Sequence, residues 1–439
     1  MEVVMSRIKV RSLAMVFVIF GTWHSQVTGQ QQSSPQGEQP GAGPAPDWLG
    51  WGGPKGNFRL NEAANLIDDF GGKFPKRLWK RPLGDGYSAI VAKAGRLYTQ
   101  YRNEDREVIV ALDSASGETL WEQDYQVSYY PNMDLNFGKG PNASPLIVDE
   151  RLFTVSIAGE MRATELASGE LIWRMDLHER FGSQKRKEEY GYSASPIAYT
   201  DRLIVLVGGD QHGVVALNPG DGKVIWSSPP SRVSYAQPTI IQVEGQDQLV
   251  FFSPTEVIGL NLENGKFLWR YPVKCYTENN LTPALQLDER HLWVASQLDG
   301  GSRILKLPAR GSNQPPEVSW ESPTIRQAHW HSFVEGDFIY GSFGGNSNSF
   351  LAGFNWRTGT FVWRQRGFHL AKGVMADGKF YFTDENGQLV IAKLSPQGVE
   401  ILDAYQILSR VSWTAPTLVG TKLFLRDREH ILAVELAKP

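Results

Sequence analysis

The stretch HWH sets His329 and His331 two residues apart, with Trp330 between them. On an extended strand residues i and i+2 share a face, so both imidazoles could address one ligand or one metal ion. A structural or catalytic metal needs at least a third donor. His369 and Glu278 are candidates that the fold, not the spacing, would have to bring near. A second cluster, KCYTENN (274–280), concentrates Tyr276, Glu278, Asn279 and Asn280. Oxygen donors at that density suit a hard cation, and the same residue types equally cap turns. A third, HERFGSQKRKEEYGY (178–192), puts Lys185, Arg186 and Lys187 beside Glu188 and Glu189. It reads as an exposed loop. Cys275 is the single cysteine, so no intrachain disulfide can form.

None of these groups has meaning until the elements carrying them are known. The stretch ALDSASGETLW (111–121) supplies the key, because it returns as ATELASGELIW (163–173), ALNPGDGKVIW (216–226), GLNLENGKFLW (259–269) and GFNWRTGTFVW (353–363). A small residue, an acid or amide, a Gly and a Trp keep their places in each copy. A worn copy ends at Trp320, and KFPKRLWKRPL (73–83) supplies Trp79 without the first half of a repeat. The copies recur every 40–50 residues or so, the signature of a propeller or solenoid. Each repeat also has an opening such as NASPLIVDERLFTV (142–155) or SASPIAYTDRLIVL (193–206), and eight such openings can be found. The eighth Trp position falls at Leu402, and the last opening, at 413, ends in ILAVEL (431–436) without a Trp strand. The two half-repeats at the chain ends therefore complete one blade, which removes the exposed sheet edges of an open array. The prediction is an all-β, eight-bladed propeller of four-stranded antiparallel blades, closed by N- and C-terminal strands. Trp79, Trp121, Trp173, Trp226, Trp269, Trp320 and Trp363 are assigned as wedges between blades.

Three segments divide the chain. Residues 1–29 read as an export signal: Arg7, Lys9 and Arg11 precede the apolar run LAMVFVIF (13–20), and VTG (27–29) offers small residues for cleavage before Gln30. Residues 30–46, QQQSSPQGEQPGAGPAP, read as a disordered linker. The propeller takes 47–439. The protein is thus expected to be exported, periplasmic or secreted, with no transmembrane span after cleavage. Lys plus Arg number 44 against 47 acids, a net charge of −3, which argues against a nucleic-acid partner.

The Ala-x-Asp-x-x-x-Gly-x-x-x-Trp pattern resembles the tryptophan-docking repeat of the pyrroloquinoline quinone propeller superfamily. That superfamily includes quinoprotein alcohol dehydrogenases and the lipoprotein propeller that serves outer-membrane barrel assembly. DWLGWGGPKGN (47–57) and SWTAPTLVGTKLFLRD (412–427) resemble a subgroup of exported bacterial quinoprotein-like propellers. The resemblance implies that catalytic members stack the quinone between a Trp and a disulfide of adjacent cysteines and ligate calcium or a lanthanide with Glu, Asn and Asp. The lone Cys275 departs from that pattern, as does the limited length of the connections: two are enlarged, about 123–141 and 176–192.

Propellers bind at the mouth of the central channel, on the loops entering the innermost strands. Positions three before the opening Pro, or its equivalent, place Tyr87, Asn142, Ser193, Tyr235, Asn280 and Trp413 there, with Glu278, His329, Trp330, His331 and Lys372 nearby. That rim is aromatic and amide-rich. The reading is a monomeric, non-catalytic scaffold that binds a protein partner or small ligand on one face, with no catalytic residue and no metal assigned. The alternatives are a quinone-dependent alcohol or sugar dehydrogenase with a reduced site, which would take pyrroloquinoline quinone with Ca2+, and an outer-membrane assembly scaffold.

Overall fold

The repeat's turn shows what its conserved spacing does. Asp113 Oδ1 accepts the backbone N–H groups of Ala115 and Ser116 at 2.9 and 2.8 Å, and the Gly117 N–H donates to Asp113 O at 2.9 Å. A short acid or amide closes such a turn with its own side chain. Asn218, Asn261 and Asn355 accept from Gly220, Glu263 and Arg357 in the same way. Gly117 has φ 75°, and a Cβ there would stand 2.6 Å from the Trp79 ring. Glycine is required twice, for its left-handed backbone and for the space. Ala111 faces Trp121 across the strand pair, and Ala163, Ala216, Gly259 and Gly353 face Trp173, Trp226, Trp269 and Trp363. A Cβ on Gly259 would come within 2.2 Å of the Trp269 ring, so the small residue is what lets the indole in.

The structure is a computed structural model, and it describes residues 46–61, 65–131, 133–183, 189–274, 280–296, 300–312, 314–327, 331–345 and 347–438. These residues form eight sheets. Blade 1 holds the antiparallel strands Val91–Lys93, Arg96–Asn103, Arg106–Asp113 and Thr119–Gln126. Blades 2 to 6 repeat that meander, from Leu146–Val148 to Leu171–Asp176, Ile197–Tyr199 to Val224–Ser227, Thr239–Val243 to Phe267–Pro272, Leu285–Gln286 to Glu317–Ser322 and Phe333–Glu335 to Thr360–Gln365. Blade 7 runs from Lys372–Ala376 to Gly398–Gln406. The first strand of each blade lies innermost, and third strands such as Arg106–Asp113 are buried on both faces because adjoining blades cover them. Outer strands such as Thr119–Gln126 are mostly exposed, with Trp121 and Tyr125 turned inward.

Ring closure follows the sequence reading. Thr417–Val419, Lys422–Arg426 and His430–Glu435 are completed by Arg77–Pro82, with Trp79 opposite Ala433. The indoles bridge blades. Trp79, Trp121, Trp173, Trp226 and Trp363 donate Nε1–H to the carbonyls of Ser114, Leu166, Pro219, Leu262 and Ser395 in the following blade, at 2.7–3.1 Å. Trp320 lies against Gly359 of blade 6. Trp269 differs: it donates to Gln248 Oε1 at 2.8 Å within its own blade. Blade 5 is the worn copy, and its longer turn, LPARGSNQPP, lacks the acid-to-Gly spacing that presents the carbonyl.

Two features were not legible as drawn. The strand register sets Asp403, not Leu402, at the eighth Trp position, opposite Ile391. Instead of an indole, the leading chain fills that seam: Phe70 N–H donates to Asp403 Oδ2 at 2.7 Å, and Ile67 N–H to Leu436 O of blade 8 at 2.8 Å. Further upstream the chain crosses the inner strands. Trp48 pairs with Ala92, Leu49 O accepts from Ile147, and Arg59–Leu60 adds a parallel strand beside Met375 and Ala376.

Candidate functional site

The connections into the inner strands gather at one mouth of the channel. Tyr87, Asn142, Ser193, Tyr235 and Trp413, each half-buried, line a recess of about 170 Å3 with Ser144, Ser195 and Gln237. Trp51, from the leading chain, closes it from within the channel and also lines the cavity beyond. The two enlarged connections meet above the recess, where Asp134 N–H donates to Glu189 O at 2.7 Å. They bring two aromatic residues that the spacing argument missed. Phe137, 51% exposed, stacks with Trp413 (6.2 Å between centroids) and meets Tyr190 edge-on at 5.6 Å. Loop aromatics carry no periodicity, so no pattern in the sequence marked them.

Hydrogen bonds fix the rim. Trp413 stacks with Tyr87 at 5.0 Å and donates Nε1–H to Glu385 Oε1 at 2.8 Å. The other Glu385 oxygen meets His369 Nδ1 at 2.8 Å. Asn142 Nδ2 donates to Tyr190 O at 3.1 Å, the Tyr190 N–H to the Tyr235 hydroxyl at 3.3 Å, and the Tyr87 hydroxyl to Phe137 O. Asp85 is held by both arms of Arg428 at 2.6 Å. Burial alone would push the Asp85 carboxyl up, but the guanidinium holds it below the usual carboxylate range. Burial raises the Tyr87 hydroxyl to about 12, aided by Asp85 and Glu385 and opposed by Arg428. The mouth therefore offers ring faces and amide groups, while its carboxylates are already engaged.

The remaining candidates lie elsewhere. Asn280 is fully buried between blades 4 and 5, donating its backbone N–H to Ser234 Oγ at 2.7 Å and Nδ2 to Ser253 O at 3.2 Å. His331 is buried in the channel among Trp51, Phe58 and Phe333, and burial pushes its imidazole down to about 3. Lys372 is buried at the head of the blade 7 inner strand and donates to Leu370 O at 3.2 Å. Burial brings its amine down to about 7 despite the nearby Glu385 and Asp384. Glu278, His329, Trp330 and the 185–187 basic run fall outside the described residues. Among the described residues no three His, Cys, Asp or Glu side chains converge to hold a metal. The stacked rings of the rim could receive a flat ligand.

Below the mouth the channel widens to a cavity of about 730 Å3, lined by Ile147, Ile197, Ile240 and Leu285 of successive inner strands and by Leu49 and Trp51 of the leading chain.

The fold and repeats are shared with known proteins. Outer membrane protein assembly factor BamB of Shewanella oneidensis is 22% identical over 303 residues, covering 66% of this chain and 72% of that protein. Quinoprotein alcohol dehydrogenase PedH of Pseudomonas putida is 25% identical over 127 residues, covering 28% of this chain and 20% of that one. Among solved structures, BamB from Moraxella catarrhalis superposes with a TM-score of 0.55 at 13% identity, over 82% of this chain and all of that one. Quinohemoprotein alcohol dehydrogenase from Comamonas testosteroni gives 0.58 at 13%, over 91% and 82%. A family profile matches residues 105–344, more than half of the chain, and so the protein belongs to the family described as outer membrane protein assembly factor BamB.

Proposed function

We propose that this protein is an exported, non-catalytic propeller scaffold of the outer-membrane assembly kind, which holds a protein partner or small ligand on the aromatic mouth. The observation that carries this is the mouth itself. Tyr87, Phe137, Tyr190, Tyr235 and Trp413 are presented together, while Asp85 and Glu385 are committed to Arg428, His369 and Trp413. A catalytic site needs a base within reach of the substrate and able to change its protonation. A docking site needs half-exposed aromatic anchors with satisfied polar neighbours. The name carried by the family supports the assembly setting. On this reading residues 1–29 are removed on export and 30–46 link the propeller to the new N-terminus, and the propeller works as a monomer.

Affinity purification of a tagged copy from its host, with the mouth variant Trp413→Ala beside it, tests the proposal. Barrel-assembly components should accompany the unaltered protein and be depleted from the variant; their absence from both would overturn it. Titration with pyrroloquinoline quinone and calcium, followed by dye reduction with alcohols and aldoses, addresses the dehydrogenase reading. Turnover there would replace the scaffold reading.

A further inference from the structure

We infer that the flank of blade 6 carries a second docking surface, a groove for an acidic protein segment that also bears an apolar side chain. The groove is built from three adjoining recesses. One, of about 410 Å3, is lined by Ile325, Phe350 and Phe361 with Arg326 and Arg364. The next, of about 380 Å3, shares Asn348 and Phe350 with it and adds Arg366. The third, of about 600 Å3, continues past Phe361 and Arg364 to Trp363. The floor is thus aromatic and aliphatic, and the rim carries three exposed arginines with no carboxylate among the lining residues.

Those arginines stand out from their surroundings. Elsewhere around the same blade Arg59 meets Glu335 at 3.0 Å and Arg357 meets Asp337 at 3.1 Å. Among the described residues, Arg326, Arg364 and Arg366 have no such partner. The chain as a whole is acidic, net −3, so three neighbouring uncompensated cations are not a reflection of bulk composition. Arg364 is also oriented in advance: its guanidinium lies 4.2 Å from the Phe361 ring centroid and 5.5 Å from that of Phe350. Stacking of this kind restrains the planar fork that carboxylates accept in pairs, and a restrained side chain loses less entropy on binding. A flat anionic bilayer would meet the arginines but leave the apolar floor empty. A peptide placing Asp or Glu against the rim and Phe or Leu on the floor uses both. The groove meets the mouth's hydrogen-bond network at His369, which lines the Arg366 recess and pairs with Glu385. None of its arginines or floor rings lines the mouth, and the inference does not depend on the mouth's role.

The test uses the full chain and a fluorescein-labelled peptide alternating Glu and Phe, followed by anisotropy. Arg326→Glu and Arg364→Glu should each weaken binding roughly tenfold or more, about 1.4 kcal/mol, with Lys80→Glu on blade 8 changing it by less than about twofold. The stacking on Phe350 and Phe361 belongs to Arg364 and not to Arg326, so the Arg326 variant separates lost charge from lost stacking. Equal losses in all three variants, or no binding of the peptide, would overturn the proposal. So would arginine-dependent sedimentation with phosphatidylglycerol vesicles in place of peptide binding.

Discussion

Glycine at the repeat turn answers two separate demands, and a pair of substitutions can divide them. Gly117 and Gly245 have the same φ of 75°, but a Cβ at Gly117 would press on the Trp79 ring while one at Gly245 meets nothing within 4 Å. Gly245→Ala should therefore cost only the left-handed backbone, about 1–2 kcal/mol. Gly117→Ala should cost about 1–3 kcal/mol more for the overpacked indole. Urea denaturation of both variants measures the difference, and equal losses would mean that the indole yields freely. Burial also leaves a pH signature. Glu107 is fully buried, and desolvation raises its carboxyl to about 7 against hydrogen bonds and charge from Ile157, Arg102 and Tyr125. The native state thus holds a proton that the unfolded chain releases above 4.5, so this contribution is complete below 4.5 and is lost as pH rises through about 7. His331 acts in the opposite sense. Its folded value near 3 lies below the ordinary 6.5, so stability is complete above 6.5 and falls as acid approaches 3. Glu107→Gln should remove the decline towards neutral pH and leave the acid limb, as urea midpoints across that range will show. The small residue, the turn acid, the Gly and the Trp were readable because each serves a local, repeated purpose. Glu107 was not, since nothing in REVIVALD marks a buried charge.

Elements were legible in proportion to their periodicity. The blade strands and the closing role of Arg77–Pro82 follow from alternation and repeat count, whereas the leading chain has neither. Its two-residue strand Arg59–Leu60 is too short to show a pattern, and its partners are set by surfaces that exist only after the ring forms. The same lack of pattern hid the seam between blades 7 and 8. There Lys379, buried, donates to Leu66 O at 2.7 Å and meets Asp68 and Asp377 at 2.8 and 3.2 Å, and the Tyr381 hydroxyl donates to Ile67 O at 2.9 Å. These contacts do what an indole does at the other seams. Lys379→Met should leave Leu66 O without its donor and take the cation from Asp377, which keeps only the Leu66 N–H, and should cost about 1–3 kcal/mol. Hydrogen exchange gives the sharper reading. The Ile67 and Phe70 amides should exchange faster in the variant, while Val205 and Val215 of blade 3 keep their protection. Uniform acceleration across the ring would show that the segment is not a separate fastening.

At the scale of the whole molecule, the decisive event is joining chain ends that are far apart in sequence. Trp79 pairs with Ala433, and Arg426, fully buried, donates to Ser88 O, Gln100 O and Gly84 O at 3.0, 2.7 and 3.3 Å across the blade 8–blade 1 boundary. Contacts of such long range carry the largest loop-closure entropy and are the last to be rewarded in folding. Trp79 and Trp173 sit in equivalent positions, each donating to a carbonyl of the next blade at 3.0 and 3.1 Å. They differ in what their loss releases. Trp173→Ala should cost about 3–5 kcal/mol with the denaturant slope unchanged, because blade 2 stays joined to both neighbours through the chain. Trp79→Ala should lose a similar amount, but it also loosens the strand that covers His430–Glu435. An uncovered edge is a template for another chain, so this variant should unfold with a shallower denaturant slope and associate as concentration rises. Size-exclusion chromatography over a concentration series, beside urea denaturation of both variants, makes the comparison. If both remain monomeric with equal slopes, the ring is fastened at its ends by strand pairing and by polar contacts such as those of Arg426 and Arg428, and the Trp79 indole is a wedge like the others.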